Sequence, residues 1–570
     1  MRTFIYSMAV VLVVALTGCQ DLSVENTNSP DREQALSTPG DIESLVGGTF
    51  TDFWSATQWC GQSMMLSTMA DAHSGSWANW GMQDMSSEPR IAWNNDPSYS
   101  RAGSNEGPWF NNYVAISNAS DVIGAIENID ASAFEEAGVD VARAEAFANF
   151  VMGLSYGHIA ATYDRAFLVD ETTDLEAVAT GTADLELAPY TDVVDFAKSK
   201  LDNAIQIASS NDFTITAEED WIFGITVTSA DMVLLANSFK ARYEAYAART
   251  PEERASRDWN SILTSINNGI TESFVPVGDD SGSLEWDCQK FYGEEENTWA
   301  RADYRTIGPS DESGGYENWL NSPLADRSPF VTETPDRRIA GADGPETDGK
   351  DMIFVGTAFT AFPVDRGIYH YSDRTFKRYA EYLDEGANGP MPHMQLAEMD
   401  LLKAEALLRT GGSIDEVVAL INKTRVERGE LAPATADMTV GTPTDNPNPI
   451  TSDADSDPVT IWSMLKYEFN VETMLTAAGL NFFTDRGWGD LVEGTPLHFP
   501  VPGQELQTLG ADIYSFGGVG GTCASGSPGG CLSAGGGGSK AAAQRFVFQL
   551  EDYKQSDPLS ARAMVPTRPN

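Results

Sequence analysis

Aromatic residues in irregular stretches are the part of this sequence whose type and spacing best fit a chemistry. Two stretches rich in Gly, Ser, Asn and Asp carry them. Residues 59–109 hold Trp59, Trp77, Trp80, Trp93 and Trp109, and residues 286–319 hold Trp286, Phe291, Tyr292, Trp299, Tyr304, Tyr316 and Trp319. Indole and phenol rings stack on the C–H groups of a pyranose, while Asn, Asp, Arg and Gln side chains bond its hydroxyls. The pattern favours saccharide binding. The alternative for each tryptophan is a hydrophobic plug that anchors a long loop.

No catalytic motif accompanies these aromatic residues. The sequence lacks a Gly-x-Ser-x-Gly elbow, a Walker loop and a His-Glu-x-x-His helix. With 84 Asp and Glu residues, a carboxylate pair could be assembled almost anywhere, so their presence says nothing about hydrolysis. Asp453, Asp455 and Asp457 alternate like the start of a calcium loop, but the turn glycine and closing Glu are missing. We expect no catalytic residue, no metal site and no cofactor.

The charge balance excludes one class of partner. The formal net charge is -48, from 84 acidic and 36 basic residues. A protein this acidic repels a phosphate backbone, so nucleic acid is not the partner.

The N-terminus predicts a lipid anchor. An apolar run from Met8 to Leu16 is too short to span a bilayer and ends in Leu16-Thr17-Gly18-Cys19. It resembles a bacterial lipoprotein signal, in which cleavage before Cys19 leaves a lipidated cysteine. We expect the mature protein to be held at a membrane by lipid. Gln20-Asp21 after the cysteine resembles the export signal of lipoproteins that face the cell exterior.

Four further cysteines predict disulfides, since an even number outside the cytoplasm favours pairing. Cys523 and Cys531 lie in a glycine-rich run that can bring them together without strain, so we expect that bond. Pairing of Cys60 with Cys288 rests only on the even count.

The elements that position these residues are mainly helical. Helical periodicity begins at 41–57 and continues over 110–128, 141–163, 190–209, 229–249 and 251–270. Between about 274 and 391 periodicity is lost, which predicts a long irregular insertion of the kind that is usually functional. Paired helices of roughly 20 residues suggest tetratricopeptide-like hairpins.

The clearest hairpin lies within residues 392–429. Ala397, Leu401, Ala404 and Leu408 recur at helical spacing on the first helix, and a second apolar face follows. Gly411 and Gly412 end the first helix, and Ser413 with Glu416 predicts a capping box at the start of the second.

These motifs resemble the SusD/RagB family of nutrient-binding outer-membrane lipoproteins. The matching stretches are AEAFANFVMGLSYGHIAATYDRAF, AEMDLLKAEALLRTGG, VVALINKTRVERG and the closing region with Gly479, Arg486, Trp488, Gly489, Pro500-Val501-Pro502 and Glu505-Leu506. The chain departs from the family at Ala478, Asn481 and Thr484, where Glu, Arg and Asp are usual, which implies a divergent branch with that corner's ion pairs replaced.

The resemblance implies a fold, a site and a partner. The fold is mainly α, with SusD-like tetratricopeptide-type hairpins and long loop insertions. The ligand residues implied are Asp71, His73, Trp77, Asn79, Trp80, Trp93, Tyr292, Trp299, Arg301 and Trp319. The partner implied is a SusC-like TonB-dependent transporter, to which the lipoprotein delivers oligosaccharide as a lid. The principal alternative is a lipid-anchored helical scaffold that binds only protein, and a secreted hydrolase is a third.

The predicted organisation has four parts. Residues 1–18 form the signal peptide and 19–40 the lipidated tether. Residues 41–510 form the SusD-like nutrient-binding domain, and 511–570 form a glycine-rich segment and tail.

Overall fold

A computed structural model describes residues 36, 38–75, 78–278, 287–293, 301–358, 370–384, 388–449 and 459–520. These residues form a mainly helical protein, which confirms the predicted fold class. The α-helices are α1 Pro39–Thr57, α2 Gln62–Met69, α3 Met82–Ser86, α4 Gly103–Asn128, α5 Ala131–Ala137, α6 Val141–Thr162, α7 Leu175–Ala179, α8 Tyr190–Ser210, α9 Ser229–Tyr246, α10 Pro251–Ser256, α11 Trp259–Asn267, α12 Cys288–Gly293, α13 Tyr304–Ile307, α14 Gly315–Asn321, α15 Ala380–Asp384, α16 Leu396–Thr410, α17 Ile414–Arg425, α18 Ile461–Glu472, α19 Leu480–Trp488 and α20 Gly503–Leu509.

The strands of the described residues are short and pair antiparallel in twos. The pairs are β1 Arg165–Phe167 with β2 Leu187–Pro189, β3 Thr214–Ile215 with β4 Val227–Thr228, β5 Val277–Gly278 with β8 Gly389–Pro390, and β6 Met352–Phe354 with β7 Arg374–Phe376. Three-residue 3-10 turns lie at Asn79–Gly81, Gly308–Ser310 and Leu324–Asp326. No helix of the described ranges is both long and apolar enough to cross a membrane.

Helix α6 is the centre of the helical core. It begins after Asp140, whose side chain accepts a hydrogen bond from the Arg143 amide, and every residue from Ala146 to Thr162 is buried. Its glycines allow close neighbours: a Cβ at Gly153 would lie 2.6 Å from Leu201, and one at Gly157 would lie 2.1 Å from Tyr243. Helices α8 and α9 therefore pack directly onto its backbone.

The predicted hairpin is present as α16 and α17. Gly411 ends α16 in the left-handed conformation, with φ 73°, and the Ser413 side chain accepts from the Glu416 amide. The reciprocal half of the predicted capping box is replaced, because the Glu416 carboxylate pairs with Lys403 at 2.9 Å. The short connection packs the two helices antiparallel, as expected.

Buried ion pairs join the hairpin to the preceding helices. Glu398 and Glu405 lie seven residues apart on one face of α16, where each accepts two bonds from a buried arginine. The partners are Arg242 of α9 and Arg254 of α10. Two positions on the core side of α16 are therefore charged and not apolar.

One predicted helix is in fact two. The sequence pattern over 251–270 predicts a single helix, but α10 ends at Ser256 and α11 begins at Trp259. Asp258 causes the break, since its carboxylate caps α11 by accepting from the Asn260 and Ser261 amides at 3.1 and 3.0 Å. Asp competes with helical hydrogen bonding in this way.

The irregular insertion is fastened to the helices by a buried charge cluster. Arg338 is fully buried and contacts Asp336 at 2.6 Å, Glu468 at 2.7 Å and Glu472 at 2.9 Å. Burial would raise the pKa of Glu472, but Arg378, Arg338 and Arg428 outweigh it and lower the pKa to about 2. The insertion is thus held to α18 by ionised groups.

Candidate functional site

The early loop after α2 and the middle of the insertion lie side by side. His73 pairs with Ala302, and Asp303 pairs with Tyr371, as antiparallel bridges. The Ser74 amide donates to the Arg301 carbonyl at 3.0 Å, and the Ala302 amide donates to the Arg374 carbonyl at 3.0 Å. The structure therefore brings together two chain regions that the sequence singled out, although they are more than 200 residues apart.

Arg301 stabilises this junction. Its Nη1 donates to the carbonyl oxygens of Gly356 at 2.8 Å and Ser372 at 3.1 Å. Burial lowers its pKa. The residue is 3% exposed, so in this conformation its guanidinium fixes loop backbone and does not present a surface to a ligand.

Asp71 and His73 are also buried. Both carboxylate oxygens of Asp71 accept from Arg90 Nη2, at 2.8 and 2.7 Å, and its backbone is left-handed with φ 53°. His73 Nδ1 shares a short hydrogen bond with Ser67, and burial lowers the pKa of His73 to about 3. His73 is consequently neutral at ordinary pH.

Asp71, Asp303 and His370 each place one ligand-type atom within 4.8 Å of the others. Arg90 already occupies both oxygens of Asp71, and Arg305 Nε lies 3.7 Å from the same carboxylate. Burial raises the pKa of Asp303, and His370, 3.3 Å away, opposes that rise. A metal cation here would compete with two guanidinium groups, so the geometry favours ion pairing over metal binding.

Two of the tryptophans predicted to contact ligand, Trp93 and Trp319, are buried in this structure. Trp93 is 2% exposed and lies edge-on between Tyr99 and Phe499, each at 5.4 Å. Trp319 is 3% exposed, with the Arg327 guanidinium 4.3 Å above its ring. A sugar could stack on either ring only after these neighbours moved. For both residues the alternative of a hydrophobic plug describes the geometry.

Among the predicted ligand residues whose side chains the structure describes, Asn79 and Trp80 are half-buried and the others are buried. Trp80 has φ 54° and ψ 14°, a left-handed conformation that is an outlier for a bulky residue. Its ring packs against a small apolar cluster of Met64, Met82 and Cys288. Residues in such sparsely populated backbone conformations cluster at ligand-binding and active sites, which makes Trp80 a candidate contact.

A disulfide links this cluster to the turn before α2. Cys60 and Cys288 are bonded, with their Cα atoms 5.0 Å apart, which confirms the pairing suggested by the even cysteine count. The remaining predictions lie outside the described residues: Trp77 and Trp299, the Tyr292 side chain, the lipidation site Cys19, the Cys523–Cys531 bond and the aspartates of the acidic loop.

Sequence reasoning missed the charged residues beside Trp319. Glu88 contacts Arg305 at 2.9 Å and Arg327 at 3.2 Å. Burial would raise the pKa of Glu88, but Arg305 and the neighbouring cations outweigh it and lower the pKa. These partners are 217 and 239 positions apart, so no local pattern could have marked them.

At the closing corner, where the sequence departs from the resemblance, Asn481 and Thr484 make neutral hydrogen bonds. Asn481 Nδ2 donates to the Asn470 carbonyl at 3.1 Å, and the Thr484 hydroxyl donates to that of Leu480 at 2.9 Å. Arg486 makes four bonds to backbone carbonyls.

Comparison with solved structures identifies the fold. No protein-family model matches the chain, and no curated protein matches its sequence. A SusD-like protein from Bacteroides fragilis NCTC 9343 matches with a TM-score of 0.51 over 81% of this chain and 89% of its own, at 14% identity. A SusD-like carbohydrate binding protein from the same organism matches with a TM-score of 0.51 over 81% and 90%, at 13% identity. The fold of this chain is therefore SusD-like, as the motifs predicted.

Proposed function

We propose that this chain, whose fold is SusD-like, is a cell-surface lipoprotein that binds oligosaccharide and delivers it to a SusC-like TonB-dependent transporter. The observation that carries the proposal is the similarity in fold to a SusD-like carbohydrate binding protein from Bacteroides fragilis. The proposal describes a binding protein and not an enzyme, since the sequence offers aromatic and polar loop residues without a catalytic motif.

The proposed binding surface is centred on Trp80. A half-exposed indole can stack on the face of a sugar, and the amide of Asn79 beside it can bond hydroxyls. Trp77, Tyr292 and Trp299 are proposed to extend this surface on the sequence argument alone. Asp71, His73 and Arg301 are assigned a supporting role, because their bonds join the early loop to the insertion.

The buried tryptophans have a different part in the proposal. Trp93 and Trp319 are buried beneath the loops. In this proposal they do not contact the sugar, and they affect binding only because they stabilise the fold. This division can be tested, because an exposed stacking residue and a buried core residue respond differently to truncation.

Delivery of the sugar to a transporter requires the protein to be held at the membrane, which is the role of the predicted lipid anchor. Lipid on Cys19 would hold the protein at the outer membrane, and the residues before α1 would act as the tether. A ligand held between this protein and a transporter would contact both and so favour their closure. Replacing Cys19 with Ala should release the protein from the membrane fraction.

Calorimetry of the wild type and of Trp80→Ala against malto-, cello-, xylo- and manno-hexaose tests the binding function. We expect one sugar class to bind, and Trp80→Ala to weaken it by about three- to tenfold, the scale of a lost aromatic contact. Phe196→Ala is the matched control, since Phe196 is a half-buried aromatic on α8 that packs edge-on against Tyr156 at 5.0 Å. It should leave affinity unchanged.

The partner is tested by mild detergent extraction and affinity purification. We expect a β-barrel transporter to co-purify with the lipidated protein. A wild-type protein that binds no sugar of the panel and co-purifies only with other soluble proteins would contradict the proposal and favour the protein-binding scaffold.

A further inference from the structure

The Cys60–Cys288 disulfide joins two distant parts of the fold beneath the early loop. Cys60 lies in the turn between α1 and α2, and Cys288 begins α12, 228 residues later. The Cys288 amide also donates to the Gln58 carbonyl at 3.0 Å. The bond therefore fixes the start of α12 against the end of α1.

The apolar cluster above this bond is small. Met64 is 1% exposed, Met82 is 2% exposed and Cys288 is fully buried, while Cys60 and Trp80 pack against them from the outer side. A sulfur atom beside an aromatic ring makes a favourable, adaptable contact. Since the cluster is separate from the main core, few other apolar groups can replace a lost member.

The backbone at Trp80 needs such support. The left-handed conformation is disfavoured for a residue with a large side chain and persists only where the surroundings over-determine it. Gly81 follows with φ 82°, and a Cβ there would lie 3.1 Å from Met65 and 3.2 Å from Trp93. The turn is thus pressed against the core on one side, and the Trp80 ring rests on the disulfide cluster on the other.

We propose that the Cys60–Cys288 disulfide positions Trp80: it holds the indole ring in the orientation that contacts ligand. The inference rests on the proposed function for its consequence in binding, but not for the positioning itself. Loss of the disulfide leaves the atoms of Trp80 chemically unchanged and frees its ring to leave this orientation.

The segment around Cys288 has other anchors, so we expect the fold to survive without the bond. Lys290 Nζ contacts the Asp287 carboxylate at 2.6 Å and donates to the Thr476 carbonyl at 2.9 Å, and all the atoms of this ion pair are buried. The Asp287 amide donates to the Tyr382 hydroxyl at 2.9 Å. We expect these contacts to keep α12 in place when both cysteines are replaced.

The direct test needs no ligand. Oxidation of individual tryptophans by N-bromosuccinimide is followed by peptide mapping in the wild type and in the double variant Cys60→Ala/Cys288→Ala. We expect the rate at Trp80 to rise at least threefold in the double variant. Trp109, which is fully buried, reports on global unfolding and should stay unreactive in both proteins. An unchanged rate at Trp80 would overturn the positioning role.

The consequence in binding is tested by a double-mutant cycle with the hexaose that binds the wild type most tightly. The disulfide variant should lose the same three- to tenfold in affinity as Trp80→Ala, and the triple variant should lose no more. If the loss of affinity in the triple variant equals the product of the two separate losses, the disulfide acts independently of Trp80 and the inference is overturned. The binding function would still stand in that case. A wild type that binds no hexaose would contradict the proposed function and leave the oxidation result to decide the positioning.

Discussion

Arg249 and Arg486 donate hydrogen bonds to the same acceptor, the carbonyl oxygen of Ala161, at 2.9 and 2.6 Å. Helix α6 ends at Thr162, so this oxygen belongs to the negative end of its dipole. Arg486 also donates to the Tyr246 and Ala248 carbonyls where α9 ends. Two buried cations thus bind together the C-terminal ends of the two central helices.

Removing one of these cations should destabilise the fold strongly. Arg486→Met leaves the carbonyls of Tyr246, Ala248 and Leu497 without this donor in the core. We expect a loss of about 3 to 5 kcal/mol in the free energy of unfolding, measured by urea denaturation. Lys350→Ala is the control: Lys350 lies at the surface, where it pairs with an exposed Glu430 and donates to the Arg428 carbonyl at 2.8 Å, and surface ion pairs contribute about 0 to 1 kcal/mol. Equal effects of the two substitutions would contradict the capping role of Arg486.

Glu405 should make stability fall in acid. Burial would raise its pKa, but Arg254 and Arg409 outweigh it and lower the pKa to about 2. Because the folded pKa lies below the unfolded value, the stabilisation is complete above the unfolded pKa of 4.5 and is lost as pH falls toward 2. Its size is on the order of 3 kcal/mol. Urea denaturation at pH 5, 4 and 3 should show this slope in the wild type and a shallower one in Glu405→Gln.

Glu505 should have the opposite dependence. Burial raises its pKa to about 8, from 4.5 in the unfolded chain. The folded state therefore holds this proton more tightly, so the stabilisation is complete below pH 4.5 and is lost as pH rises toward 8. Glu505→Gln keeps the neutral form at all pH values and should be more stable than the wild type at pH 8, by an amount on the order of 4 kcal/mol. The two proteins should have similar stability at pH 4.5. A constant difference across this range would show that Glu505 does not titrate as inferred.

Loss of the Cys60–Cys288 disulfide should lower stability without unfolding the protein. The bond closes a loop of 228 residues, for which the chain-entropy model gives about 5 kcal/mol, and measured losses for native bonds are about 2 to 5 kcal/mol. We expect Cys60→Ala/Cys288→Ala to lower the urea midpoint while the far-ultraviolet circular dichroism stays native. A midpoint equal to that of the wild type would indicate that these cysteines are not bonded in the isolated protein.

Much of the helical architecture follows from local sequence. The apolar spacing of α16 and α17, Gly411 at the helix end and Ser413 at the next start determine a hairpin through contacts a few residues apart. The same locality explains why the pattern over 251–270 predicts one helix where the structure has two. Asp258 lies within a continuous apolar pattern. Its neighbours in sequence are compatible both with an Asp inside one long helix and with an Asp that caps a new helix, and the structure shows the cap.

Only the tertiary structure decided which of the candidate residues face solvent. Trp80 and Trp93 both lie in polar, irregular sequence, yet one is half-exposed and the other is buried against Phe499, 406 positions away. Glu398 and Glu405 belong to the core face of α16 because arginines from other helices neutralise them there. The burial of a residue depends on contacts between distant parts of the chain. The sequence around a charged side chain does not show whether an opposite charge from another helix will pair with it. The sequence by itself therefore determined most of the long helices, their pairing in the hairpin and the two loop regions of interest, while the packing of those loops determined which residues a ligand can reach.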